Sequence, residues 1–377
     1  MTGAAAAAET EELAREAKRL VEELARVPRP AGGAAEQAAR ALCAARLAAL
    51  GFTVEESPFA YSSFPGRYAT PLGGACSAIA LAAAAYAGSR GVGAAALAVL
   101  GGTLALLAPG AAWLARRGVL DLPLARRRGI NLVARRGDPA MWLVAHLDSK
   151  SQPVPILARA AGVAVSALCW IVALGVALAQ VGGASVAGAW PWLAAVGALA
   201  AVPVAASVVG AHSPGAIDNA SGVATVLLAA AATPRALELG VLLPSAEELG
   251  MAGARAWARG RAAGVAVNCD GVDDSGMLTL MYSGRRPDRL LVVGERAGAA
   301  AGTPARSRRL LPGVLTDGVA LADAGWEAVT VSRGTWRTLA RIHRPADSAD
   351  GVTGRGVADG ARLVATMAVA LATRGQG

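Results

Sequence analysis

Between residues 146 and 343 lie six side chains of the types that hold metal ions and move protons: His146, Asp218, Glu247, Glu248, Asp270 and His343. His146 and its neighbour Asp148 close the apolar run MWLVAHLDSK, the Glu pair closes VLLPSAEELG, and Asp270 closes GVAVNCDG. Asp218 sits in PGAIDNASG and His343 in RIHRPADS. Carboxylates and imidazoles at the ends of strands are how an α/β sheet builds a site at its carboxyl edge. Neutral imidazole and carboxylate are good zinc donors. A carboxylate with two oxygens can span two cations about 3.5–4 Å apart. A second carboxylate beside a ligand carboxylate is then placed as a general base. Adjacent glutamates point apart in a strand, but a strand-to-helix turn lets them take these two jobs. Asp148 can accept the second imidazole N–H of His146, and Asp347 can do the same for His343. The implied chemistry is metal-dependent hydrolysis.

Taken one at a time, these residues have blander accounts. A Glu pair at a helix start is ordinary dipole chemistry. Asp218 and Asp270 suit turns, and a histidine after an apolar run suits a core. The chain has only 3 histidines, however, and two fall in the motifs. The third, His212, opens the loop toward Asp218 and reads as an interfacial residue. Arg306, Arg308 and Arg309 form a basic cluster that reads as a solvated loop.

The elements that must position these groups follow from texture. Residues 9–27 and 34–50 have apolar positions at helical spacing, and FTVEESPFA reads as a strand. Two further strands are expected in RRRGINLVARRGD and MWLVAHLDS. From residue 221 the pattern alternates: helix 221–232, strand LELGVLLPSA, helix EELGMAGARAWARGR, strand GVAVNCDG, strand MLTLMYS, a helical turn in VLTDGVALADAG, strand WEAVTVSRG, and a closing amphipathic helix over 356–374.

Between these lie charge-free runs at 72–88, 92–115, 160–181 and about 185–210. A bilayer core needs roughly 20 apolar residues in a helix. Hydrophobic residues make up 54% of the chain, with aromatics at 4%, so the apolar content is alanine-like and suits close helix packing in lipid. Pro109, Pro191 and Pro203 are candidate kinks. The expected domain plan is a discontinuous catalytic part (1–71, 116–154 and 212–377) interrupted by membrane hairpins at 72–115 and 155–211. The net charge is +9, but the arginines are scattered and no nucleic-acid motif accompanies them, so no nucleic-acid partner is expected. Both hairpins return the chain to one side. There the 116–154 segment carries Arg116, Arg117, Arg126, Arg127, Arg128, Arg135 and Arg136, against Arg90 alone on the other. The positive-inside bias puts the catalytic part in the cytoplasm of a multi-pass cell-membrane protein. Four cysteines without paired spacing, and an acidic amino terminus without a signal pattern, agree with that.

Five motifs occur in order: H-x-D, D-N-x-S-G, E-E-x-G, N-x-D-G and I-H-x-x-x-D. In this the chain resembles the zinc peptidases of family M28, relatives of aminopeptidase Y and glutamate carboxypeptidase, over residues 25–71, 129–150 and 212–372. The resemblance implies a mixed central β-sheet flanked by helices, of the zinc-exopeptidase kind, to which the charge-free runs add four transmembrane helices as two hairpins. It implies two Zn ions as cofactors. Asp218 would bridge them, His146 and Asp270 would complete one, and Glu248 and His343 the other. Glu247 would be catalytic, taking a proton from water and passing it to the leaving amine, and Asp148 would serve catalysis by orienting the His146 ring. The implied activity is aminopeptidase action on a peptide substrate. Carboxypeptidase action, a glutaminyl-cyclase-like reaction and an inactive membrane scaffold are the alternatives within this fold. The departure from soluble relatives is the stretch between His146 and Asp218, most of it the second hairpin. That insertion point ties the zinc loops to the bilayer, the other expected partner.

Overall fold

Alternation along the strands sets the architecture. In the computed structural model, which describes residues 3–311 and 313–372, eight strands form one sheet. They are β1 (Thr53–Ser62), β2 (Arg126–Arg136), β3 (Met141–Val144), β4 (Leu239–Leu243), β5 (Val265–Val272), β6 (Met277–Tyr282), β7 (Ala305–Arg309) and β8 (Glu327–Gly334). Their order is β1-β2-β4-β3-β5-β8-β6-β7. The centre, β4-β3-β5-β8, is parallel; β2 joins β4, and β6 joins β8, in antiparallel fashion. Central strands covered on both faces should be continuously apolar, and β3 (MWLV) and β4 (LGVLL) are buried at every position.

Successive residues feed opposite faces. Met141 and Leu143 of β3, Leu239, Val241 and Leu243 of β4, Val267 of β5 and Val329 of β8 join one core. Helices Gly3–Leu24, Ala34–Ala49, Gly222–Ala232, Asp288–Ala300 and Arg355–Ala372 cover that face. Trp142, Val144, Leu242, Ala266 and Ala328 join the other core, under Trp257 and Trp326. The three indoles pack in series, one pair edge-on and the other tilted, with ring centroids 4.6 and 5.0 Å apart. Gly240 makes room for them: a Cβ there would lie 2.3 Å from the Trp142 ring.

The mixed sheet is the one expected, with one strand added. The arginine cluster expected to be a solvated loop is instead β7, an edge strand parallel to β6. Its sequence, ARSRR, lacks the alternation that marks a half-buried strand, because charged residues are how an edge resists further pairing. Helix Asp288–Ala300 also lay outside the sequence reading. The closing helix ends its described course at Ala372; residues 373 and 374 of the expected 356–374 span lie outside the described residues.

The chain divides into two compact units. The first comprises Met1–Tyr61, Arg126–Ser151 and Ala211–Gly377, and holds the sheet. The second comprises Ser62–Ala125 and Gln152–Gly210. Residues 62–71, 116–125 and 152–154, grouped by texture with the catalytic part, fall in this second unit.

The second unit contains four helices long and apolar enough to cross a membrane: Pro65–Ser89, Gly93–Asp121, Ile156–Val181 and Ala187–Ala205. They form two hairpins whose large side chains, among them Leu106, Ile171, Trp192 and Leu199, point outward and are exposed. Inside, small residues permit close approach: Gly88 lies against the Trp190 ring and Gly197 against Leu81. Three polar contacts tie the helices together. Trp190 Nε1 donates to Gln180 Oε1 (2.8 Å), Gln180 Nε2 to the Gly88 carbonyl (2.8 Å), and Trp170 Nε1 to Ser77 Oγ (2.7 Å).

Candidate metal centre

Three adjacent parallel strands aim the site. Val144 of β3 is in register with Leu242 of β4 and Asn268 of β5. His146, Glu247 with Glu248, and Asp270 therefore emerge side by side at the carboxyl edge. β4 and β5 flank β3 on opposite sides, the kind of divergence that opens a crevice. Asp218 enters from the turn before helix Gly222–Ala232, and His343 from the loop after helix Trp336–Arg341.

The six sequence-predicted residues meet there. Asp218 Oδ1 lies 3.2 Å from His146 Nε2, and Asp218 Oδ2 lies 2.9 Å from His343 Nε2. Asp270 Oδ1 is 3.8 Å from His146 Nε2, and Glu248 Oε2 is 3.4 Å from His343 Nε2. Two groups able to hold a cation result: His146, Asp218 and Asp270, and Asp218, Glu248 and His343, each with donor atoms within 4.8 Å of one another. Glu247 belongs to neither; its Oε2 is 3.8 Å from His146 Nε2.

The donors fit a metal. His146 Nε2 is fully buried and has no hydrogen-bond partner, although carboxylate oxygens crowd around it. An unpaired buried nitrogen facing acids is costly unless something else fills the space. Imidazole nitrogen with carboxylate oxygen is a donor set that zinc accepts.

The supporting bonds orient each ligand. His146 Nδ1–H donates to the main-chain carbonyl of Asp148 (2.9 Å), leaving Nε2 as the lone-pair nitrogen. The Asp148 carboxylate is 3.7 Å from that ring and instead accepts the N–H groups of Glu247 (3.0 Å) and Glu248 (3.3 Å). Asp148 thus fixes the imidazole with its backbone and the Glu pair with its side chain. Asp347 accepts the N–H groups of Ile217 (2.8 Å) and Asp218 (3.1 Å), so the group it orients is Asp218. Asn219, joined to Asp218 by a cis peptide, donates to the Cys269 carbonyl (2.9 Å) and accepts from Gly222 and Gly271. Among the described residues, four that are not glycine have left-handed backbones; Ala246, Met251 and His343 are three of them. Such conformations gather at functional sites because the surrounding structure holds them there.

Charge is unevenly shared. Burial pushes Glu247 well up from the usual carboxylate range, and the nearby Glu248, Asp317 and Asp270 add to it, against the pull of His146. Burial also raises Glu248, but Lys150 and then His343 outweigh it and leave that carboxyl at about 2. Asp218 is held well below its ordinary value by His146 and His343, which overcome its burial.

Four contributors escaped the sequence reading. Arg29, buried in the loop after the first helix, donates to the carbonyls of Leu24, Leu147, Pro214 and Gly215. It clamps together the loops that carry His146 and Asp218. Lys150 pairs with Glu248 at 2.6 Å. Asn219 braces the turn as described. Asp317, in the first turn of helix Asp317–Asp323, is fully buried with both oxygens unpartnered, and burial pushes it to about 8. Only Asn219 had a signal, since it sits inside a motif. His212 bonds to Ser151 and is in neither cation group.

Comparison with known proteins agrees with this geometry. Residues 200–368 match the model of Peptidase family M28. The resemblance carried by the motifs is borne out. That segment contains Asp218, Glu247, Glu248, Asp270 and His343, while His146 precedes it and joins them through the sheet. No curated protein matches the chain. Among solved structures, BSAP, a zinc aminopeptidase from Bacillus subtilis, is similar at a TM-score of 0.54 and 14% identity, over 95% of each chain. An aminopeptidase from Aneurinibacillus sp. strain AM-1 aligns at 0.52 and 15%, over 95% of this chain and 93% of its own. A glutaminyl cyclase from Fimbriiglobus ruber aligns at 0.52 and 15%, over 94% and 95%. At such identities the likeness establishes a shared fold.

Proposed function

We propose that this M28-type protein is an integral-membrane, two-zinc aminopeptidase that releases amino-terminal residues from peptides. The observation that carries the reading is Asp218, whose two oxygens face two different imidazoles at 3.2 and 2.9 Å. One carboxylate thereby serves both cation groups. In this reading His146 and Asp270 complete one site, and Glu248 and His343 the other. Bound there, two zinc ions would acidify a shared water and polarise the scissile carbonyl.

The chain's own residues do the rest. Glu247 stays outside both ligand groups, and its desolvated carboxylate favours holding a proton. That suits a base which accepts a proton from water and delivers it to the departing amine. Asp148 holds the backbone of Glu247, so the carboxylate stays aimed while it changes charge. The Asp148 carbonyl keeps the proton of His146 on Nδ1.

The test is a substrate panel on detergent-solubilised protein: aminoacyl amides, amino-blocked peptides with free carboxyl ends, and peptides beginning with glutamine. Chelator-sensitive release from the amides is expected. Cleavage confined to blocked peptides would turn the reading to a carboxypeptidase, cyclisation to a glutaminyl cyclase, and silence on all three to a scaffold. The four apolar helices and the arginines of residues 116–154 support a membrane protein with its catalytic part in the cytoplasm. Single cysteines placed in that segment should resist an impermeant reagent in intact cells; labelling would reverse the topology.

A further inference from the structure

Lys150 has no part in the reaction as described, yet it holds one of the ligands. It lies two residues past Asp148, and its side chain is 19% exposed. The ammonium is 2.6 Å from Glu248 Oε2, and the Lys150 main-chain N–H donates to Glu248 Oε1 at 3.2 Å. Both oxygens of Glu248 are therefore engaged by a single residue. Oε2 is also the oxygen that lies 3.4 Å from His343 Nε2, and so the one turned toward the group of Asp218, Glu248 and His343. An ammonium and a divalent cation on one oxygen repel each other strongly at such range. A lysine on its flexible stem is a compact point charge that can leave without moving the backbone.

We propose that Lys150 is a built-in competitor for Glu248, so that the Asp218, Glu248 and His343 group takes its ion only by displacing the ammonium. The inference rests on the metal-centre reading above. Its consequence is a pair of opposed effects. Without metal, Lys150 neutralises part of a dense carboxylate cluster and steadies the fold. With metal, the same contact weakens the Glu248 site relative to what its ligands alone would give. The other group, His146 with Asp218 and Asp270, does not include Glu248 and escapes direct competition.

The experiment is calorimetric titration of Zn²⁺ into metal-stripped full-length protein in detergent, with a competing chelator, for wild type, Lys150→Met and Lys150→Arg. Wild type should take up two ions. In Lys150→Met one step should tighten at least about tenfold, as expected for removing a like charge at contact, while the other moves by no more than about threefold. The metal-free variant should melt lower than metal-free wild type, and Lys150→Arg, which keeps a cation at Glu248, should stay near wild type in both respects. A wild type that takes one ion where Lys150→Met takes two also supports competition. An unchanged or weakened step in Lys150→Met would overturn it, and so would equal tightening of both steps, which would mean a general field effect. Failure of wild type and variant alike to bind any ion would sink the metal-centre reading along with it, whereas the other negative results leave that reading intact. If methionine at 150 prevents folding, Lys150→Gln is compared in the same way.

Discussion

Glu247 and Glu248 are neighbours in sequence with opposite protonation preferences, one raised by burial and like charges, the other lowered by Lys150 and His343. In the proposed mechanism that split would let one carboxylate bind metal and the other carry a proton. Glu247→Gln should lower kcat by roughly 10²–10⁴-fold with metal content unchanged; elemental analysis beside the assay checks both halves. A second carboxyl gives a pH prediction for stability. Burial, then the charge of Asp148, raises Glu36 from 4.5 to about 7. The folded state holds that proton more tightly than the unfolded chain does. Its stabilising contribution is therefore full below about pH 4.5 and declines as pH rises toward about 7. Glu36→Gln should flatten the fall of melting temperature across that window, and an unchanged slope would clear Glu36 of responsibility.

At the scale of elements, the centre depends on how closely the Asp218 turn approaches β5. A Cβ on Gly222 would lie 2.1 Å from Asn219 Oδ1 and 2.3 Å from the Cys269 carbonyl. Gly222→Ala must push the turn off the strand. It should cost about 1–3 kcal/mol by overpacking and weaken metal binding, both readable by thermal melting with and without zinc. Arg29 ties the loop after the first helix to the loops of Leu147 and of Pro214 and Gly215. Arg29→Met leaves buried carbonyls without donors at about 1–3 kcal/mol each. The variant should unfold at lower denaturant than wild type, and a midpoint unchanged from wild type would show that the clamp is dispensable.

For the molecule as a whole, the proposed metal uptake would be linked to folding through Asp218, whose partners His146, Glu248, Asp270 and His343 come from four separate stretches of chain. Ions that bind only the folded state raise its stability by about 2.7 kcal/mol at a hundredfold excess over Kd. Chelation should therefore lower the melting temperature of the first unit reversibly, with recovery on returning zinc. The outward apolar side chains of the second unit, such as Ile171 and Leu199, predict a different behaviour on extraction. The protein should stay with membranes through high salt and alkaline carbonate and come away only in detergent. Release by salt alone would refute the membrane reading of those helices.

What could be read along the chain was whatever has a local period or a local motif. Apolar runs marked β3, β4 and β5, charge-free runs marked the four long helices, and donor residues at strand ends marked the centre. Burial imposes those patterns residue by residue, so they survive in one dimension. β7 and helix Asp288–Ala300 were not legible, because an arginine edge strand and its neighbouring helix show no such contrast. Nor was the division of labour among polar groups: Asp148 bracing the Glu pair, Asp347 bracing Asp218, Arg29 joining distant loops, Lys150 resting on Glu248. Each of those bonds links segments far apart in sequence. A hydrogen bond is set by distance and direction in space, which only the folded chain supplies.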